Sequence, residues 1–355
     1  MSRIGILGAS GSAGKGAADV LKGKDGIELK LGCRHIETLS KETENVELCS
    51  VDIERKNELD DFVKNCDCVI NCAGPSWKIK GSAAEACFHY QIPYIDVAGG
   101  NSLINDLNSL NNVDKNTGIT SAGVYPGLSE LFLKWVCTQS EEEILSVQEI
   151  FFGNDELSDV AIEDICMSLK EGEGEAFCYC RNGNIEKISF ETKASVKIPG
   201  VSTPVYLLPV VNPAFANIIG SLNIEKAVFY MGLMKAEGMT QLINLKKELE
   251  NSRFEAIFSE DMKNIFYDKN CRTGFGIAVD VITITGEHIK YVLSGESNWN
   301  YLTGCVAALT ALNRKGERLK GIRYVHEATD AKEVIAELKE RGFITVKKFV
   351  KRKSG

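Results

Sequence analysis

Gly8, Gly11 and Gly14 stand three residues apart at the end of Arg3-Ile4-Gly5-Ile6-Leu7-Gly8-Ala9-Ser10-Gly11-Ser12-Ala13-Gly14. The residues before them form an apolar run that reads as a strand. Those after them (Ala17, Ala18, Val20, Leu21) recur with helical spacing. A strand that breaks into glycines and re-forms as a helix is built to hold a pyrophosphate. Gly8 makes the tight turn, Gly11 lets backbone approach the phosphates, and Gly14 lets the helix lie close to the strand, its first N–H groups aimed at the anion. The spacing is G-x-x-G-x-x-G rather than G-x-G-x-x-G, so placement between strand and helix carries the inference more than the motif does.

Arg34 is the second informative position. Ile27-Glu28-Leu29-Lys30-Leu31 reads as a strand, and Gly32-Cys33-Arg34-His35 follows at its end, with no acidic residue from Gly32 to Ile36. NAD binders place an acid about 20 residues past the glycines to bond the ribose 2′-OH, whereas an Arg there accommodates a 2′-phosphate. Arg is the side chain best shaped to grip phosphate, so the expected cofactor is NADPH/NADP, with His35 beside the 2′-phosphate. The competing reading makes Arg34 a solvated strand-end charge.

Two side chains are candidates for handling a proton. Asp96 closes the run Pro93-Tyr94-Ile95-Asp96-Val97, at the strand end where doubly wound sheets bind ligands. Its structural alternative is an Asp bonding the N–H groups of the next loop. Tyr125 lies between Gly123 and Pro126, also past a strand end. A phenol can protonate nitrogen or an enolate if its neighbours lower its pKa of ~10; the alternative is a ring packed at a domain junction. Cys72 is a poor nucleophile, with no adjacent His or Lys. None of the four histidines (His35, His89, His288, His326) is an obvious acid or base. His89 is expected on the outer face of a helix, and His326 at the close of a short strand. Arg181, Lys187 and Arg272 are candidates for a substrate carboxylate, against a default of surface charge.

The elements that position these residues follow from periodicity. A third strand is expected over Val46–Asp52, ending at Asp52-Ile53, where such folds contact adenine. A short helix over Glu58–Asn65 precedes a fourth strand over Cys68–Gly74. A helix over Gly81–Tyr90, a fifth strand over Pro93–Val97 and a sixth over Ile119–Ala122 follow. Strands alternating with helices and apolar on both faces predict a parallel sheet. From about residue 145 the period becomes two, as in Ser146–Phe152. Asn182-Gly183 marks a hairpin between Ala176–Arg181 and Ile185–Phe190; Gly286-Glu287 marks another between Ile277–Thr285 and His288–Ser294. Helices are expected over Thr303–Asn313 and Ala331–Arg341. The apolar segment Val210–Met239 reads as a helix pair in a core or dimer contact, with a substrate lid or membrane contact as the alternative. The expected architecture is α/β: a Rossmann-like, mostly parallel sheet over residues 1–125, and an α+β substrate and dimerisation domain with a largely antiparallel sheet over 126–300. C-terminal helices over 301–355 return to the first domain.

The 355 residues, 44% apolar and 25% charged, suit a globular chain of two domains. A net charge of −8 argues against nucleic acid as a partner. The basic run Lys347–Lys353 is expected to be a solvated tail. No signal peptide and no apolar run of ~20 residues is evident, so no integral membrane association is expected. Twelve cysteines in that setting imply free thiols and a cytoplasmic location. The pairs Cys66/Cys68 and Cys178/Cys180 lack zinc-site spacing; alternate strand residues share a face, so both sulfurs of a pair can face a core, and no metal is expected.

At Asn71-Cys72-Ala73-Gly74-Pro75, Gly81, Ala86-Cys87 and Tyr94-Ile95-Asp96, together with the glycine-rich start and Gly32-Cys33-Arg34, the chain resembles the saccharopine dehydrogenase-like reductases. The resemblance is specific over residues 1 to about 135 and architectural beyond. It implies a Rossmann domain followed by an α/β substrate domain, assembled as a homodimer. It also implies NAD(P)-dependent reduction or formation of C–N bonds in amino-acid and polyamine metabolism; some relatives reduce enoyl groups in lipid biosynthesis. Carried over, it places Gly8, Ser10, Gly11, Ser12, Ala13 and Gly14 at the pyrophosphate and Arg34 at the 2′-phosphate. Asp52 and Ile53 fall at the adenosine, and Cys72, Ala73, Gly74 and Val97 near ribose and nicotinamide. The chain departs from the family where relatives often carry Glu near Gly100, and at Tyr125, where lysine-pathway members often have Asp. Saccharopine itself is therefore not carried over as substrate. The expected function is NADPH-dependent reduction of an imine formed from an amine or amino acid and a carbonyl compound. The alternatives are an enoyl reductase acting on a lipid or polyketide intermediate, and a non-catalytic NADPH-binding sensor.

Overall fold

Six strands, β1 (Ser2–Leu7), β2 (Ile27–Cys33), β3 (Val46–Ser50), β4 (Cys68–Asn71), β5 (Tyr94–Asp96) and β6 (Thr117–Thr120), run parallel in the computed structural model. A seventh, Gly321–Tyr324, adds in parallel outside β6 and gives the order Gly321–Tyr324, β6, β5, β4, β1, β2, β3. The structure describes residues 1–39, 45–172, 174–190, 193–251, 265–314 and 319–350. They form two units, 1–128 with 299–334, and 129–298 with 335–350.

The first unit is a Rossmann-like α/β fold, as the alternating pattern predicts. Ile6, Val69, Ile70 and Ile95 are fully buried, which is why the strands read as unbroken apolar runs. β4 ends at Asn71, three residues before the expected Gly74, because the Asn71 side chain captures the Ala73 N–H at 3.1 Å and Pro75 has none to offer. Helix α1 (Ser12–Leu21) packs on the helix Trp299–Asn313 at backbone contact. A Cβ at Gly304 would stand 1.6 Å from the Ala13 carbonyl oxygen, and one at Gly16 would stand 2.0 Å from that of Tyr301. Tyr301 Oη donates to Asp19 Oδ2 at 2.8 Å across the same crossing. His326 lies buried in the short helix Val325–Ala328 that follows Gly321–Tyr324, rather than at the strand's own end.

The second unit is built on a ten-stranded sheet that is mostly antiparallel, with Ile144–Asn154 and Lys226–Leu233 pairing in parallel at its centre. Asn182 (φ 47°) and Gly183 (φ 77°) turn the hairpin between Cys178–Arg181 and Asn184–Lys187, both in the left-handed region that this two-residue turn needs. Cys178 and Cys180 are both buried, as are Cys66 and Cys68 of the first unit.

Two expectations are corrected here. Residues 210–239 do not form a helix pair. Val205–Val211 and Lys226–Leu233 are strands around the helix Pro213–Ser221, because cross-strand packing outweighs the local helical spacing. Phe215, Ile218, Ile219 and Phe229 are fully buried in that arrangement. The basic C-terminal run is not a solvated tail over its first part: Thr345–Val350 pairs along His288–Gly295 as an edge strand, with Lys347 and Lys348 exposed on it, and edge lysines blunt further pairing. Lys351, Arg352 and Lys353 lie outside the described residues. Among the described residues, no helix is long and apolar enough to cross a membrane.

Ala at a helical Gly ordinarily adds up to ~1 kcal/mol of stability. At Gly304 the added methyl meets backbone that has no room to yield. Gly304→Ala is therefore expected to lower stability by about 1–3 kcal/mol, read as a lower thermal midpoint; an unchanged or raised midpoint would refute the close crossing.

Candidate active site

All six labelled strands end at one edge of the parallel sheet, and the order reverses between β1 and β4. A crevice opens at such a switch point. Gly8 sits there with φ +74°, a conformation side chains rarely adopt, and a Cβ on it would stand 2.7 Å from both Cα and N of Ala73. Cys72 N donates to Leu7 O at 3.0 Å, closing the two strand ends together. A Cβ on Gly14 would lie 2.2 Å from the Gly8 carbonyl oxygen, so the start of α1 is pressed against the turn.

Gly11 differs. A Cβ there would meet only Gly8 O, at 3.4 Å, and its other side is open. Gly11 is also the N-cap of α1 and has no side chain with which to cap it, so the first-turn N–H groups that follow, at Ser12, Ala13 and Gly14, are presented to this opening. Ser10, Ser12 and Ala13 border it, with Ser12 exposed. A cradle of backbone N–H groups at a helix N-terminus fits a pyrophosphate.

Arg34 lies exposed just past β2 and, among the described residues, has no acidic partner. Its backbone is held by Ser50, whose Oγ donates to Arg34 O at 3.4 Å. His35 is exposed beside it, with Nδ1 3.3 Å from Glu37 Oε1. Asp52 is half-buried and partly engaged: its Oδ1 accepts from Glu54 N at 3.1 Å, and its Oδ2 is 3.8 Å from Arg55 Nε. Ile53, half-buried, packs against the core cluster that includes Leu59, Phe62 and Val63.

Asp96 is 2% exposed and fully bonded. Oδ1 accepts from Ala98 N at 2.8 Å, and Oδ2 accepts from Asn71 Nδ2 at 3.0 Å and from Tyr94 Oη. Burial pushes its carboxyl above the usual range, opposed by these donors. The same burial, with the Asp96 charge, pushes the Tyr94 phenol well up. An acid enclosed in this way braces its neighbours: through Asn71, whose Oδ1 accepts from Ala73 N, it fixes the turn that meets Gly8. These bonds are those of the structural alternative raised for Asp96.

Tyr125 is half-buried in the loop after β6. Ser121 N donates to Ala98 O at 2.8 Å and Ala122 N to Asp96 O at 3.0 Å, so this loop is stacked on the one after β5. Val124 N donates to Thr303 Oγ1 at 3.2 Å, and Leu128 N to Gly123 O at 2.8 Å. Val97, half-buried, donates its N–H to Asn71 O at 3.3 Å. The glycine turn, Cys72, Ala73, Gly74, Val97 and the Tyr125 loop thus adjoin one another along the edge. Arg34, His35, Asp52 and Ile53 lie farther along it, past β2 and β3. Burial drives the Cys72 thiol far above its ordinary value, in keeping with a poor nucleophile. Arg181 and Lys187 are exposed on the Cys178–Lys187 hairpin, and Arg272 is exposed and paired to Glu296 at 2.6 Å.

Sequence reasoning missed Asn71 and Thr303 as positioning groups. Asn71 stood in the quoted Asn71–Pro75 block, and an amide closing an apolar strand is a signal in itself. Thr303 is brought in from far along the chain and gave no local sign.

Residues 4–121 match the family model described as the saccharopine dehydrogenase NADP binding domain. Among solved structures, apo saccharopine dehydrogenase (L-Glu forming) from Saccharomyces cerevisiae is similar over 99% of this chain and 100% of its own, with a TM-score of 0.69 and 14% identity. A short-chain dehydrogenase/reductase from Veillonella parvula in complex with NADP is similar over 27% of this chain and 47% of its own, with a TM-score of 0.25 and 24% identity, too partial to bear on the chain. No curated protein matches. Residues 4–121 are thus an NADP-binding domain of the saccharopine dehydrogenase type, and NADP(H) is the cofactor.

Hydrogen bonds to a charged group are worth on the order of 1.5–3 kcal/mol. If Arg34 holds the 2′-phosphate, Arg34→Ala is expected to weaken NADPH binding about ten- to hundredfold and leave NADH binding unchanged in fluorescence titrations. Equal losses for both would remove Arg34 from that role.

Proposed function

We propose that this chain, an NADP-binding oxidoreductase of saccharopine dehydrogenase type, reduces an imine formed from an amine or amino acid and a carbonyl compound. The observation that carries the reading is the match of residues 4–121 to that family's cofactor domain in a chain whose fold follows saccharopine dehydrogenase from end to end. Reductases of this resemblance make or reduce C–N bonds. The proposed working form is a cytoplasmic homodimer acting on a small molecule.

NADPH bound at the edge would supply the hydride. The chain's own residues would do the rest. Gly8, Ser10, Gly11, Ser12, Ala13 and Gly14 would hold the pyrophosphate by backbone, Arg34 and His35 the 2′-phosphate, and Asp52 and Ile53 the adenosine. Cys72, Ala73, Gly74 and Val97 offer small or apolar surface to the ribose and nicotinamide, so that placement rather than a nucleophile does the work. Tyr125 would carry the proton, which an imine needs on nitrogen. Asp96 would act through Asn71 and Ala73 by fixing that surface.

Enoyl reduction of a lipid intermediate would call for an apolar acyl pocket, for which residues 210–239 were the candidate. Phe215, Ile218, Ile219 and Phe229 are buried within their own domain, so that segment gives the reading no support.

The deciding assay follows NADPH oxidation with pooled amines and amino acids, pooled 2-oxo acids and aldehydes, and both together. Oxidation is expected only with both pools. Oxidation with neither pool nor their mixture, in a protein that binds NADPH, would contradict imine reduction. General acid catalysis is worth typically 10²–10⁴-fold. Tyr125→Phe is accordingly expected to lower kcat by about that factor with NADPH affinity within about twofold; an unchanged kcat would dismiss Tyr125 as the acid.

A further inference from the structure

Glu149 stands at the centre of the second sheet, on the strand Ile144–Asn154, with Phe229 opposite it on one side and Val279 on the other. It has no exposed surface, and neither carboxyl oxygen has a hydrogen-bond partner among the described residues. The residues sharing its face on the flanking strands, Ala227, Phe229 and Met231 and then Ile277, Val279 and Val281, carry no titratable group.

The ionisable groups come from the helix Leu128–Cys137. Glu130 is also fully buried, accepts from Ser129 Oγ at 2.7 Å, and opposes charge on Glu149. Lys134, one turn on from Glu130, is that helix's one basic residue. The Cys137 thiol is pushed up to about 12, first by burial and then by the Glu149 charge.

A carboxylate at Glu149 would give up its hydration and receive no hydrogen bond in return, which costs several kcal/mol. The neutral acid loses far less. We propose that Glu149 is a buried proton-binding site, held as the neutral acid in the folded protein at neutral pH, and that its ionisation in alkaline solution loosens the second sheet.

Burial and then Glu130 both push the Glu149 carboxyl well above the ordinary value. The unfolded chain releases this proton near ~4.3, whereas the folded chain keeps it to higher pH. The contribution to stability is thus full below ~4.3, falls as pH rises, and is lost once pH passes the raised folded value. Each retained proton changes the unfolding constant by about tenfold per pH unit in that window.

The test takes the full chain, E149Q and E130Q through thermal unfolding from pH 5 to 9, with infrared spectra of the parent and both variants over the same range. E149Q has the shape of the neutral acid. It is expected to melt close to the parent at pH 5 and progressively above it as pH rises, and to lose a protonated-carboxyl band that the parent shows at pH 7. E130Q removes the neighbouring charge that raises Glu149 and is expected to move the disappearance of that band to lower pH. A parent without the band at pH 7, a band that survives in E149Q, or an E149Q advantage that does not grow with pH overturns the proposal. The parent spectrum decides on its own if E149Q fails to fold.

Discussion

Between β1 and β4 the backbone at Gly8 comes so near Ala73 that a single methyl group would stand 2.7 Å from two of its backbone atoms. Much of the first unit is arranged around that approach. Gly14 presses the start of α1 onto the carbonyl of Gly8, and Gly304 brings the helix Trp299–Asn313 against the carbonyl of Ala13. Backbone therefore meets backbone in three successive layers, from β4 through the glycine turn to the covering helix. Side chains would hold these layers apart. Their absence leaves the edge of the sheet lined by N–H groups and small surfaces, which is what an extended, doubly charged pyrophosphate requires.

The polar groups behind this edge are spent on holding it. Tyr94, Asp96 and Asn71 form one buried chain of hydrogen bonds that ends on Ala73 N–H, the residue Gly8 touches. Each member left unpaired would cost about 1–3 kcal/mol, so the chain fixes geometry at a modest net gain. An acidic residue at a strand end is chemically suggestive by position alone. Here three donors enclose it, and the loop carrying the half-buried Tyr125 lies beside it on the same edge.

The first unit was largely legible because its rules are local. Apolar runs, a glycine triplet and an arginine after β2 each sit within a few residues of one another, and the hairpin at Asn182-Gly183 follows from two residues that tolerate positive φ. What stayed hidden depends on distant partners. Gly16 and Gly304 look like weak points in helices, and only their mutual crossing explains them. Gly321–Tyr324 is short and half-polar, and becomes a strand because β6 has a free edge. The segment 210–239 has spacing that suits a helix, yet sheet packing on both flanks claims two of the four elements it touches. Glu149 gave no sign either, since a glutamate in an alternating strand reads as its solvent-facing half.

Crowding at Gly8, beyond its backbone conformation, is what would shape the cofactor site. Gly23 supplies the control, because it too has positive φ (+71°) but no atom within 4 Å of the position a Cβ would take. NADPH titrations of Gly8→Ala and Gly23→Ala separate conformational strain from collision. We predict that Gly8→Ala loses at least about tenfold in affinity, roughly 1.4 kcal/mol, while Gly23→Ala keeps the parent affinity. Parent-like binding by Gly8→Ala, or equal losses in both variants, would contradict the account.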